Sequence, residues 1–281
     1  MTKRAAIVLC GGRSSRMGRA KAWLPWFGKT MVEHVVGVLQ SVVNEVVVVT
    51  SADLDLPVLG MDVRIVRDRE AERGPLAGLR EGFEAASADA TFVTGTDAPF
   101  LGSAFVEEMF ARGGACAPLS DGHVQVLCAV YGPGAAEKAQ MLLAAGKSRP
   151  RDLLESQGYQ AIAAEELVSA PSRAPWEGFN TPEAYLSAIR SVDAKATCVV
   201  ELLGRAAKQA QKLGAESTRE VPVGTLGDLL ATWPKKLGLV DEGRVAKRYL
   251  ASLGGRDLVR DLSIPVGPGE RISMIDALAG G

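Results

Sequence analysis

"VLCGGRSSRMGRAK", residues 8–21, passes directly from apolar residues into a glycine pair followed by three arginines, a further glycine and a lysine. The stretch leading into it, "AAIVL" (5–9), is short and apolar on both faces, which is how a buried parallel strand reads. Working outward, the same type of segment recurs as "EVVVVT" (45–50), "DVRIV" (62–66) and "ATFVTG" (90–95). Between these, "TMVEHVVGVLQSV" (30–42) and "PLAGLREGFEAA" (75–86) carry apolar residues at helical spacing, and Pro75 suits a first helical position. "FVEEMFARG", "AAEKAQMLLAAG" and "TPEAYLSAIRSV" continue the helical series. Alternation of this kind predicts an α/β domain with an open, mostly parallel sheet covered on both faces.

The glycine–arginine stretch then becomes a loop at the end of the first strand. Glycines there let backbone N–H groups approach a ligand closely and form an anion nest. Arg13, Arg16, Arg19 and Lys21 add charge that phosphate oxygens accept. The spacing is neither G-x-x-x-x-G-K-[ST] nor G-x-G-x-x-G, so the P-loop and the dinucleotide fingerprint are both excluded. A solvated basic loop is the alternative for this stretch taken alone. Asp97, in "TGTDAPFL" (94–101), falls just past the strand at 90–95, where ligands of open α/β sheets collect. There it either holds Mg²⁺ bridging phosphate oxygens or caps the following segment. Asp68, in "RDREAERGPLAGL" (67–79), likewise follows a strand.

The chain's 281 residues suffice for one large domain or two modest ones. With 47% hydrophobic residues, 23% charged and a net charge of −1, nothing points to nucleic acid or an anionic membrane as a partner. Cys10, Cys116, Cys128 and Cys198 are scattered without C-x-x-C spacing, which argues against zinc and disulfide scaffolds and suits a reducing compartment. "MTKRAAIVLCGG" has too short an apolar run for a signal core, and no stretch has the length of a membrane span. A cytoplasmic protein is expected. His34 falls in a helical stretch and reads as structural, whereas His123 follows a turn within reach of a substrate.

Five segments in order, "LCGGRSSRMGRAKAWLP", "GPLAGL", "TDAPFL", "DGHVQVLCAVY" (121–131) and "FNTPEAYL" (179–186), resemble the molybdenum cofactor guanylyltransferase family. The resemblance spans about residues 4–190 and implies a Rossmann-like nucleotidyltransferase fold. It implies that Leu9, Cys10, Gly11, Gly12 and Arg13 line the GTP phosphates and ribose, that Lys21 contacts phosphate, and that Thr50 touches the nucleotide. Asp68 would read the guanine edge, Asp97 would bind Mg²⁺, and Asn180 would lie in the acceptor or metal region. The implied reaction is attack by the terminal phosphate of molybdopterin on the α-phosphorus of GTP, releasing pyrophosphate. That nucleophile is already ionised, so positioning and charge neutralisation carry the chemistry without a general base. Three positions depart from the pattern: Ala20 stands where Asp usually precedes the lysine, Cys10 where alanine is usual, and Val126 where proline is common. Transfer of CMP or another NMP, or a nucleotide-binding scaffold with weak catalysis, remain the alternatives.

After about residue 190 the pattern changes. "SVDAKA" (191–196) reads as a linker between a domain at 1–190 and another at 197–281. "TCVVELLG", "STREVPV", "RYLASLGG" and "ERISMID" read as strands and "TLGDLLATW" as a helix, predicting a small α+β domain. The chain closes on "ALAGG", and a tail without Cβ atoms can thread a narrow channel. "LLGRAAKQAQKLGA" (202–215), "REVPVGTLGDLLATW" (219–233) and "VGPGERISMIDALAGG" (266–281) resemble the sulfur-carrier subunit of molybdopterin synthase, a ubiquitin-like β-grasp protein. The thiamine-pathway carrier ends the same way. The resemblance implies that Gly281 is adenylated and then converted to a thiocarboxylate, with Gly280 giving reach. It implies as partners the molybdopterin synthase large subunit, an E1-like activating enzyme, and molybdoenzymes or other cofactor-synthesis proteins.

Overall fold

The computed structural model describes residues 2–11, 16–68, 74–167 and 173–277. The chain divides into two compact units. One holds the residues up to the glycine loop, Lys21–Trp23 and Met31–Gly178, and the other holds the end of the loop, Leu24–Thr30 and everything from Phe179 onward. The division near the C-terminal end therefore falls at Gly178–Phe179, and the helix Pro182–Val192 runs into the stretch 191–196. Among the described residues no helix is long and apolar enough to cross a membrane.

The first unit is built on one mixed sheet. Its strands run in the order Gln160–Ala163, Cys116–Ser120, Cys128–Tyr131, Ala90–Gly95, Arg4–Cys10, Glu45–Ser51, Val63–Asp68, with His123–Val124 pairing off this path against Cys116–Ser120. The four strands expected from their apolar character form the parallel half, whereas Cys128–Tyr131 runs antiparallel to both of its neighbours. Arg4–Cys10 is central, and Ala5, Ala6, Ile7 and Val8 are withdrawn from water. Val63–Asp68 departs from the expectation of a strand apolar on both faces. It is the edge strand, with Arg64, Ile65 and Arg67 exposed, and charge on an edge discourages pairing with another chain.

Helices Met31–Gln40 and Pro75–Ala85 form where their periodicity predicts, the latter with Pro75 at its first turn. The helix Pro75–Ala85 buries Leu76, Leu79 and Phe83 in the same cluster as Ile7, Val47 and Val49. Gly82 sets how closely it approaches: a Cβ there would stand 2.8 Å from Ile7 Cγ2 and 3.0 Å from Val49 Cγ2.

The second unit has its own five-stranded sheet, ordered Thr218–Pro222, Thr197–Leu202, Arg271–Asp276, Tyr249–Leu253, Asp257–Val259. Its first and last long strands, Thr197–Leu202 and Arg271–Asp276, lie side by side and parallel, and the remaining pairs are antiparallel. Alternate residues of Thr197–Leu202 are buried, as a period of two requires. The stretch "TLGDLLATW" gives only the short helix Leu226–Leu230, started by a reciprocal Thr225–Asp228 capping box. A helix at Gly204–Lys212, not expected from the sequence, buries Ala206 and Ala210 in the core.

Candidate active site

Strand register brings the predicted residues to one edge. Leu9 pairs with Val49 and with Gly95, Cys10 with Thr50, and Ser51 with Asp68. The carboxyl ends of four parallel strands are thus level, and the chain leaves each of them there.

A pocket of about 200 Å³ opens at this edge, lined by Leu9, Gly11, Thr50, Asp68, Pro75 and Gly78 among others. Asp68 is buried in its wall. Gly78 makes room for it, since a Cβ would sit 3.2 Å from Asp68 Oδ2 and 3.5 Å from Leu9 Cδ2. Thr50 has no exposed surface, and among the described residues its Oγ1 has no hydrogen-bond partner. A buried hydroxyl left without a partner costs free energy. The volume suits one ring system and is small for a whole nucleotide, whose phosphates must lie outside it.

Outside the pocket, Lys21 Nζ lies 2.7 Å from Asp97 Oδ2, with both side chains partly open to solvent. Asp97 follows the strand Ala90–Gly95, and two glycines crowd it: a Cβ on Gly95 would stand 2.6 Å from its Oδ1, and one on Gly178 would stand 2.9 Å from its carbonyl oxygen. His34 Nε2 lies 3.0 Å from the Pro99 carbonyl, which fixes the helix Met31–Gln40 to the segment following Asp97 and accords with a structural role. His123 Nδ1 is 2.8 Å from the Asp121 carbonyl in a surface turn.

Cys10 stands in the family's alanine position as a small apolar group. Burial pushes its thiol up to about 12, against a hydrogen bond with Thr96 that pulls the other way, so it is not a nucleophile at neutral pH. Arg19 departs from the expectation that it faces phosphate: its guanidinium is buried and paired with Glu270 in the second unit, whereas Arg16 is exposed. Asn180 is exposed and belongs to the second unit, one residue ahead of the N-cap Thr181. Gly12 and Arg13 fall outside the described residues, as do Gly280 and Gly281. Sequence reasoning missed Gly78, Gly95 and Gly178 as individual site residues. The signal available for Gly78 was its spacing of four from Gly82 within a helical pattern, which puts two side-chain-free positions on one face.

Among the described residues no three His, Cys, Asp or Glu side chains gather as a metal cage. One carboxylate beside a lysine fits Mg²⁺ that arrives with a triphosphate, because that ion takes one or two carboxylates and completes its shell with phosphate oxygens and water.

A base-sized pocket and a lysine–aspartate pair at the carboxyl edge of this sheet define a nucleotidyltransferase. The chain belongs to the family described as the MobA-like NTP transferase domain, which it matches over residues 6–162. It is 34% identical over 196 residues to the probable molybdenum cofactor guanylyltransferase of Bacillus cereus (strain ZK / E33L), covering 67% of this chain and 96% of that protein. It is 32% identical over 203 residues to the protein of that name from Bacillus anthracis (strain CDC 684 / NRRL 3495), covering 69% and 100%. Its fold resembles molybdopterin-guanine dinucleotide biosynthesis protein A from Archaeoglobus fulgidus, with a TM-score of 0.55 and 20% identity over 68% of this chain and 99% of that one. A nucleotidyl transferase from Methanothermobacter aligns with a TM-score of 0.53 and 25% identity, covering 66% and 95%.

Proposed function

We propose that the first unit transfers GMP from GTP to the terminal phosphate of molybdopterin, releasing pyrophosphate. The observation that carries this reading is the pocket lined by Thr50 and the buried Asp68 carboxylate at the carboxyl edge of the parallel strands. Guanine offers two adjacent donors, N1–H and N2–H, to one carboxylate. Cytosine offers only its exocyclic amine, so Asp68 favours guanine over CMP transfer. The names of the Bacillus relatives accord with this.

In the reaction an oxygen of the acceptor phosphate forms a bond to the α-phosphorus as the α–β P–O bond breaks, and pyrophosphate leaves with the electron pair. Lys21 orients and neutralises phosphate oxygens, the Gly11 backbone allows their close approach, and Asp97 would hold Mg²⁺. That ion, when bound, offsets charge on the triphosphate as it builds on the leaving group. Thr50 and Asp68 hold the base. The test is pyrophosphate release from GTP in the presence of molybdopterin, compared with CTP. Release with CTP and not GTP would overturn the base assignment, and release that survives Asp97→Ala would overturn the metal assignment.

The second unit we read as a β-grasp sulfur carrier. Its support is the sheet order with parallel first and last strands at the centre, so that the chain leaves toward Gly281 from a central strand. The helix Gly204–Lys212 packs against both of those strands. On this reading an E1-like enzyme adenylates Gly281, a sulfur donor then displaces AMP to leave a thiocarboxylate, and the molybdopterin synthase large subunit receives the sulfur. Intact mass after incubation with ATP, such an activating enzyme and a sulfur source decides it. Exchange of one oxygen for one sulfur is expected, and an unchanged mass would refute the carrier role.

A further inference from the structure

The end of the glycine loop is held by residues from the last part of the chain. Arg19 Nη1 lies 2.9 Å from Glu270 Oε2, with the two side chains only 8% and 10% exposed. The same Nη1 reaches the Pro265 carbonyl at 3.3 Å. Glu270 Oε2 is itself fixed, because it accepts the Gly267 backbone N–H at 2.8 Å. One residue earlier, Gly18 has φ +66, and a Cβ there would stand 2.9 Å from Ile264 Cγ1, so the backbone is in close contact with that side chain. Met17, the residue before, is buried. Gly18 and Arg19, in the middle of the arm Met17–Ala20, are thus shaped by Ile264, Pro265 and Glu270.

A loop whose cations served phosphate alone would keep them in water, as Arg16 is kept. The Arg19 side chain is instead buried, and among the described residues its Nε has no hydrogen-bond partner. Taking an Arg–Glu pair out of water adds little net stability over apolar residues of similar size, but removing one partner strands a buried charge. Such a pair fixes geometry more than it raises stability.

We propose that Arg19 and Glu270 are a positioning pair for nucleotide transfer. Glu270 anchors the arm Met17–Ala20, and the next peptide bond leads to Lys21, the residue that meets phosphate. The second unit is then a working part of the transferase and not only a passenger behind it. This rests on the reading of Lys21 as a phosphate ligand.

The experiment uses the full chain with Glu270→Gln, which keeps an acceptor for Gly267 and removes the charge, together with Arg19→Met and the double variant. Amide hydrogen exchange is read at Met17–Lys21, and KM for GTP and kcat are measured in parallel. Glu270→Gln is expected to speed exchange at Met17–Lys21 and to raise KM for GTP about tenfold, with kcat little changed, as for lost ground-state binding. The double variant should be no worse than either single one, because both remove the same interaction. Unchanged exchange and KM in folded Glu270→Gln would overturn the proposal, as would additive effects in the double variant. If the wild-type chain turns over no GTP, the proposed transferase reading fails, and exchange alone still decides whether Glu270 holds the arm. Should Glu270→Gln fail to fold, Arg19→Lys serves in its place: it keeps the charge, and an intermediate KM is expected. A wild-type KM in Arg19→Met would overturn the pairing.

Discussion

Two glycines one helical turn apart, Gly78 and Gly82, separate binding from stability, and replacing each by alanine tests both halves of the reasoning. Both lie in the helix Pro75–Ala85, so each substitution gains about 1 kcal/mol of helix propensity. At Gly82 the new methyl would stand 2.8 Å from Ile7 Cγ2 and 3.0 Å from Val49 Cγ2. Ile7 and Val49 are buried and β-branched on central strands, so neither gives way easily. Overpacking of this kind costs about 1–3 kcal/mol, and after the propensity gain a net loss of about 1 kcal/mol is expected. That corresponds to a melting temperature about 2–4 °C lower. At Gly78 the methyl meets only the Asp68 carboxylate at 3.2 Å and ordinary contacts beyond, so stability holds or rises. The carboxylate must shift by a few tenths of an ångström, which misaligns its bonds to the base. Losing one charge-assisted hydrogen bond of about 1.5–3 kcal/mol weakens GTP binding about 10- to 100-fold. Titration calorimetry with GTP and thermal unfolding by circular dichroism read the two effects. Wild-type GTP affinity in Gly78→Ala would refute the pocket assignment, and an unchanged melting temperature in Gly82→Ala would refute the packing argument.

Asp97→Asn should lower pyrophosphate release about 100-fold or more. Thermal stability should stay within about 0.5 kcal/mol because the Lys21–Asp97 pair is partly solvated, and a parallel loss of both would point to a structural role instead. Burial raises the thiols of Cys10 and Cys198 to about 12 and Cys116 to about 11 from 9.0. Unfolding lets each ionise nearer 9, so their contribution to stability is complete below pH 9 and declines as pH rises toward 11–12. Melting temperatures measured from pH 8 to 10.5 should fall above pH 9, and a flat profile would contradict the burial. Thr225→Ala removes one side of the capping box and should destabilise the second unit by about 1 kcal/mol in denaturant unfolding.

Most of the parallel half of the first sheet was legible because its inner strands are near-continuous apolar runs such as 45–50, whereas the edge strand Val63–Asp68 alternates charge with apolar residues. The antiparallel insertion of Cys128–Tyr131 was not legible: strand direction depends on connections, and "LCAVY" reads the same either way. The helix Gly204–Lys212 escaped because it is polar apart from a narrow alanine stripe, and only Ala206 and Ala210 are buried, so no large apolar residue marks its inner face. At the site, Asp68 and Asp97 were read from their position at strand ends, which fixes height on the sheet, whereas Thr50 came only from the family resemblance. Arg19 was misjudged because charge and loop context predict exposure, and its partner lies 251 residues away. The gap of four between Gly78 and Gly82 was visible, but only the packed sheet tells which of the two faces ligand.

The chain crosses between its compact units between Gly11 and Arg16, at Ala20–Lys21, at Trp23–Leu24, at Thr30–Met31 and at Gly178–Phe179. A module that can be traded between proteins starts and finishes within one uninterrupted stretch of gene. The second unit does not, because it borrows two short pieces from the front of the polypeptide. A cut in the gene at codon 190 would part the stretch that follows from the two front pieces that cluster with it. The path of the chain thus ties the second unit to both ends of the gene.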